Sequence, residues 1–253
     1  MPSLAARVTL LVFGLAAYIA FLVTLLGVIA FLSGLPVLSW FGLPQREPAA
    51  GDAVGAAVAV DVALLLLFVV QHTVMARPAF KAHWARVVGE AAERSVFVLA
   101  SCLVLVLLVL EWRPIAGSAW HLQGATATIL WVVGAAGWGL VLLSSFLVDH
   151  FELFGVKQVL AAFRGQPHRP AEFRERGPYR LVRHPLMLGF VVAFWACPVM
   201  TWDRLLFTIA ACGYISLIGL RLEERDLMAL HGDTYADYRR RVPRLLPWPR
   251  PHG

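Results

Sequence analysis

The stretch VTLLVFGLAAYIAFLVTLLGVIAFLS, residues 8–33, holds no charged side chain and no proline. A helix needs roughly 20 apolar residues to cross the hydrocarbon layer, whereas the apolar region of a secretory signal runs to about 7–15 and leads into a small-residue cleavage site. The run is of the first kind and lacks a clear site of that sort, so it predicts a spanning helix kept in the mature chain. It also fixes the solvent in which the rest of the sequence is read.

Working outward, 59% of the 253 residues are hydrophobic and 15% charged, with a mean hydropathy of +0.71, well outside the range of soluble domains. Further apolar runs fall at 53–75, 95–110, 125–148, 186–202 and 205–220, with one acid, Asp61, inside the second. Runs one, two and four are long enough to span. The third, fifth and sixth are short, and the last two can pair as a hairpin. The expected fold is all-α and polytopic, with five spans, or six if the C-terminal helical hairpin counts as two.

With a cytoplasmic N-terminus, the inner side holds Arg7, four basic residues from Arg77 to Arg94, seven from Lys157 to Arg183 and seven from Arg221 onward, against Arg46, Arg113 and Arg204 outside. That is a strong positive-inside bias, and it puts both termini in the cytoplasm. The same bias accounts for the formal charge of +6 without nucleic acid: the basic residues border spans and are mixed with acids. Cys102, Cys197 and Cys212 lie in apolar runs with no metal-ligand spacing, so they read as packing and no metal is expected.

The longest polar segments, 34–52, 76–94, 149–185 and 221–253, are interpreted as one external and three cytoplasmic segments, which places any chemistry at the cytoplasmic face. Three groups of polar residues stand there or enter the membrane. Asp61 and His72 fall about 20° apart on one helix face, with Gln71 beside His72. Ionisable residues in a span face the bundle interior or a watery cavity, where they serve either an interhelical hydrogen bond or function. At the end of the fourth run come Asp149, His150 and Glu152. A carboxylate near an imidazole raises its basicity, as a general base needs, though interfacial capping accounts for the same residues.

The third group is RGPYRLVRHPLMLGF, residues 176–190. His184 before Pro185 is biased toward extended backbone, and a helix starting at Pro185 turns its unsatisfied N–H groups toward the loop. Downstream, residues 221–249 carry Glu223, Glu224 and Asp226 in one turn, then Gly232, Tyr235, Tyr238 and three consecutive arginines. Read alone, this is an interfacial amphipathic helix.

In order, Gly177, Tyr179, Arg183, His184 and Pro185, a short apolar hairpin, Glu223-Glu224 with Leu227, and Gly232, Tyr235 and Tyr238 resemble the isoprenylcysteine carboxyl methyltransferase and phospholipid methyltransferase group of membrane enzymes. The resemblance implies S-adenosylmethionine bound by Tyr179, Arg183, His184, Pro185, Glu223 and Glu224, with Tyr235 and Arg239 in support. Carboxylates suit ribose hydroxyls or the methionyl ammonium, and a guanidinium suits its carboxylate. One departure is Met187, where many members have an aromatic. The chain would divide into an N-terminal transmembrane bundle, 1–148, and a cofactor-binding region, 149–253, with the hairpin and a cytoplasmic C-terminal helix.

FVVQHTVMARPAFKAHW (68–84), ERSVFVLASCLVLVLLVLEWRP (93–114), DHFELFG (149–155) and RHPLMLGFVVAFWACPVMT (183–201) are similar to the bacterial methanethiol S-methyltransferases. That resemblance implies methylation of methanethiol to dimethyl sulfide in a bacterial inner membrane, by in-line displacement at the sulfonium methyl. An alkyl thiol has a pKa above the cysteine value of about 8.5, so the site must help to form the thiolate. His72 and His150 are the candidate bases, with Asp149, Gln71 and Glu152 orienting the base or binding substrate; the sequence does not choose between the histidines. Rival readings are another methyl acceptor, an NADPH-dependent sterol-reductase-like enzyme, and a non-catalytic membrane protein, which a test of cofactor binding separates. Oligomeric state is not legible.

Overall fold

The computed structural model describes residues 3–43, 45–168 and 174–247. Arg169 and Arg250 of the basic residues, and Trp248 and Pro249 of the C-terminal stretch, lie outside them. In chain order the elements are α1 (Leu4–Leu32), α2 (Val37–Trp40), α3 (Ala53–Ala76), α4 (Pro78–Val88), α5 (Glu90–Glu111), β1 (Ser118–His121), α6 (Gly124–Val148), α7 (His150–Leu153), α8 (Val156–Phe163), a 3₁₀ turn (Gly177–Arg180), α9 (Pro185–Trp195), β2 (Val199–Thr201), α10 (Trp202–Tyr214), a π turn (Ile215–Gly219) and α11 (Leu220–Arg241). The protein is a polytopic all-α membrane protein.

Five helical stretches are long and apolar enough to span: α1, α3, α5, α6 and the continuous Trp202–Arg241. α9, with 11 residues, rises only about 16 Å at 1.5 Å per residue, roughly half a hydrocarbon core. The alternative of five or six spans therefore becomes five and a half-length helix. The third run, short in sequence, becomes full length because α5 begins earlier, at Glu90, with Glu90 and Glu93 in its first turn, where carboxylates complement the helix dipole. The sixth run continues through the π turn into α11, which kinks at Gly232.

The chain forms two compact units. The first comprises Met1–Gly117, His150–Ala171 and Thr201–Asp203. α5 is its hub, packed against α1, α3, α4 and α8. Among its buried residues, Ser95, Val98, Cys102 and Val109 follow one another at spacings of three, four and seven, the signature of one helix face. Val12, Ile19, Val23, Leu66 and Val70 on α1 and α3 stay exposed, as lipid-facing side chains do. Asp61 is fully buried and accepts the Arg113 N–H at 2.8 Å. Asp203 accepts Trp112 Nε1–H at 3.0 Å. Asp61 Oδ1 thus ties α3 to the backbone just beyond α5, while its Oδ2 is buried with no hydrogen-bond partner among the described residues.

The second unit comprises Ser118–Asp149, Glu172–Met200 and Arg204–Gly253. Here α6 and α9 meet backbone to backbone: a Cβ added at Gly137 would lie 2.7 Å from Ala193 N, and one at Gly189 2.7 Å from Gly137 O. Small residues at the crossing permit this approach, the usual device where lipid supplies no hydrophobic drive. Trp138 packs edge-on against Phe190 and Phe194, and β1 pairs with β2.

Candidate active site

In the second unit, the His-Pro loop, α11 and the segment after α11 converge on one buried ionic cluster. Arg183 Nε and Nη2 donate to Glu224 Oε1 at 2.9 and 2.5 Å. Its Nη1 donates to Arg239 O at 2.9 Å and Val242 O at 2.7 Å. The backbone N–H groups of Arg183 and His184 donate to Pro243 O and Arg244 O. Residues 242–244 therefore form a strap pinned across the loop by hydrogen bonds from one guanidinium and two peptide N–H groups. The guanidinium expected to hold a cofactor carboxylate is already engaged, and Arg239 contributes its carbonyl while its side chain is exposed.

His184 is 3% exposed and sits between the two glutamates, with Nδ1 3.3 Å from Glu223 Oε2 and Nε2 3.3 Å from Glu224 Oε1. Burial works against its charged form, but Glu223 and Glu224 outweigh burial and hold its pKa above the ordinary histidine value. Pro185 opens α9 and is buried, so the loop enters the helix with no N–H lost from the ladder. Tyr179 Oη lies 3.4 Å from Ser144 O, and its own carbonyl accepts Tyr238 Oη–H at 2.6 Å. Burial, then Glu223 and Tyr238, push the Tyr179 phenol above its usual range. Tyr235 is buried against Tyr238.

Glu223 Oε2 and Arg244 Nε are buried as atoms, and each is held only by a long ion-pair contact, Glu223 Oε2 to His184 Nδ1 at 3.3 Å. Glu223 is nonetheless 44% exposed as a side chain, and Arg244 Nε lies 3.6 Å from Glu224 Oε1, beyond hydrogen-bond range. A buried carboxylate oxygen and a buried guanidinium N–H, each with only a long contact in one cluster, fit a zwitterion, ammonium to Glu223 and carboxylate to Arg244. The donor set fits the methionyl end of S-adenosylmethionine.

The remaining sequence candidates lie elsewhere. Asp149 ends α6 at φ 141°, a region costly for any residue but glycine. In the first unit, Tyr18 Oη lies 2.9 Å from His150 Nε2, and the His150 ring packs on Phe154 at 4.9 Å and against Phe21. Glu152 pairs with His168 at 2.7 Å. Gln71 and His72 both approach Ser101, at 3.4 Å each. Tyr18, Ser101, His168 and Arg244 went unnoticed in sequence, each being distant from its partner along the chain; Tyr238 stood in the motif, without a role assigned to it.

A family profile described as NnrU protein matches residues 62–211. A methanethiol S-methyltransferase of Mycobacterium tuberculosis is 46% identical over 97% of this chain and 99% of its own length. Methanethiol S-methyltransferase 2 of Bradyrhizobium diazoefficiens is 44% identical over 96% and 91%. Nurim of Xenopus laevis is 30% identical over 67% and 62%. No solved structure matches significantly.

Proposed function

Because the chain belongs to the NnrU protein family and, within it, to the methanethiol S-methyltransferases, we propose that it methylates methanethiol to dimethyl sulfide with S-adenosylmethionine as donor. The donor supplies an electrophilic methyl on a sulfonium. A thiolate forms a sulfur–carbon bond to that methyl, and the sulfonium's carbon–sulfur bond breaks with its electron pair going to the donor sulfur. Residues 149–253 form the cofactor-binding region on this reading, and 1–148 the transmembrane bundle.

The observation that carries the cofactor reading is the pair of buried, weakly held atoms, Glu223 Oε2 and Arg244 Nε, beside a His184 whose pKa two carboxylates raise against the effect of burial. Glu223 takes the ammonium or a ribose hydroxyl, and Arg244 the carboxylate. Arg183 shapes this site from behind, and Pro185, Tyr179 and Tyr235 wall it. His72 and His150 are the candidate bases, with Asp149, Gln71 and Glu152 as supporting groups. The protein is assigned to a bacterial inner membrane with both termini cytoplasmic.

Detergent-purified protein given S-adenosylmethionine and methanethiol should release dimethyl sulfide into the headspace, and His184→Ala should lose both product and cofactor binding by calorimetry. Cofactor binding without dimethyl sulfide would move the proposal to another acceptor. Absence of binding would refute it.

A further inference from the structure

We propose that the thiol binds within the second unit at the start of α9, where the free N–H groups of Leu186 and Met187 and the Ser144 hydroxyl donate to its sulfur and hold it as the thiolate. The inference rests on the methanethiol reading above and adds to it the place where the acceptor sits and the means by which it ionises.

α6 and α9 run antiparallel in a register that three close approaches fix. A Cβ added at Gly134 would lie 3.0 Å from Ala196 O, one at Gly137 2.7 Å from Ala193 N, and one at Gly189 2.9 Å from Val141 N. Ser144 follows Gly137 by two helical turns, which returns it to within about 20° of the face that meets α9. One turn beyond Val141, it comes level with the residues one turn before Gly189, which are Pro185 and Leu186. Its side chain is fully buried, and Oγ has no hydrogen-bond partner among the described residues. Such a hydroxyl costs stability until a ligand takes it up.

The end of α9 that it faces is open as well. The ladder begins with Leu188 N–H donating to His184 O at 3.0 Å, and no side chain caps the helix. Pro185 has no N–H, so those of Leu186 and Met187 are left to a ligand; both residues are half-buried. A helix N-terminus favours an anion, and a thiol placed there loses its proton more readily. Arg183, His184 and Arg244 stand in this region against Glu223 and Glu224 of α11, and Glu224 is taken up by Arg183. Val141 is buried beside Ser144 and Leu147 packs on Gly177, surroundings that suit a methyl group. The place proposed for the donor adjoins: Tyr179 Oη lies 3.4 Å from Ser144 O, its phenol lies in the field of Glu223, and Glu223 contacts His184, the N-cap of α9, at 3.3 Å. In the step itself the S–H bond breaks and the proton leaves to water. The electron pair stays on sulfur and forms the bond to the methyl, while the pair of the broken carbon–sulfur bond goes to the donor sulfur. Ionisation by hydrogen bonding in this way does not call on either candidate base.

The test compares wild type with Ser144→Ala. Methanethiol added to protein saturated with S-adenosylhomocysteine near neutrality should release the thiol's proton in wild type, read with an indicator dye in weak buffer, and release much less in Ser144→Ala. The kcat for dimethyl sulfide should fall about ten- to hundredfold in Ser144→Ala near neutrality, the worth of a hydrogen bond to a charged group, and recover as pH rises and the bound thiol ionises unaided. S-adenosylmethionine affinity by calorimetry should be unchanged, and the unfolding midpoint should match or exceed that of wild type, because the hydroxyl removed has no partner in the folded chain. A wild type that makes dimethyl sulfide without releasing a proton on binding would overturn the subsite, as would a Ser144→Ala kcat equal to wild type across the pH range. Loss of S-adenosylmethionine affinity in Ser144→Ala would give this end of α9 to the donor and overturn it too. A wild type that makes no dimethyl sulfide would overturn the methanethiol reading, and the subsite with it.

Discussion

Glu223 and Glu224 are neighbours in sequence with opposite duties, and variants separate them. Glu224 is the counter-ion of Arg183 in a buried pair, so Arg183→Ala should cost about 3–5 kcal/mol of stability by leaving a carboxylate uncompensated. Arg183→Lys should recover little of it, because an ammonium cannot reproduce a fork that reaches Glu224, Arg239 O and Val242 O together; thermal unfolding in detergent measures both. Glu223→Gln, by contrast, should cost only its share of the His184 stabilisation, far less than Arg183→Ala, and weaken S-adenosylmethionine binding roughly ten- to hundredfold, the worth of a charged hydrogen bond. His184 adds a pH dependence. Since its folded-state pKa is raised by Glu223 and Glu224 over the opposing effect of burial, its stabilisation is complete below the ordinary value of about 6.5 and is lost as pH rises through the raised one. The unfolding midpoint should therefore fall on the alkaline side in the wild type and lose that component in His184→Gln.

At the scale of elements, the α6–α9 crossing is where sequence and packing are most tightly joined. Gly137→Ala or Gly189→Ala places a methyl within 3 Å of backbone atoms, which no side-chain rotation relieves, so each should destabilise by about 1–3 kcal/mol and lower the yield of monodisperse protein in size-exclusion chromatography. The spans themselves were legible because apolar length is written directly in the residues. The ends were not: α5 absorbs Glu90 and Glu93, which look like loop, and α9 stops at half length. The motif residues Tyr179, His184, Glu223 and Glu224 could be picked out as well. What could not be read was how the cluster closes, because the strap works through the carbonyls of Val242, Pro243 and Arg244, and a carbonyl has no sequence signature. Ser101 was hidden for a related reason, being one hydroxyl in an apolar run whose partners lie about 30 residues upstream.

For the whole molecule, the uneven placement of Lys and Arg makes a topological prediction. On the proposed orientation, with the basic segments inside, alkaline phosphatase fused after residue 247 should be inactive and the same reporter inserted between residues 113 and 118 active, because that enzyme folds only outside the cytoplasm; the opposite pattern would invert the proposed orientation. The strap also bears on the order in which the protein is made. Arg183 and His184 are synthesised before the last spanning stretch, and the carbonyls of Val242, Pro243 and Arg244 after it. Until the downstream segment has been made, the guanidinium and the two peptide N–H groups of the loop lack the carbonyls that engage them in the folded chain.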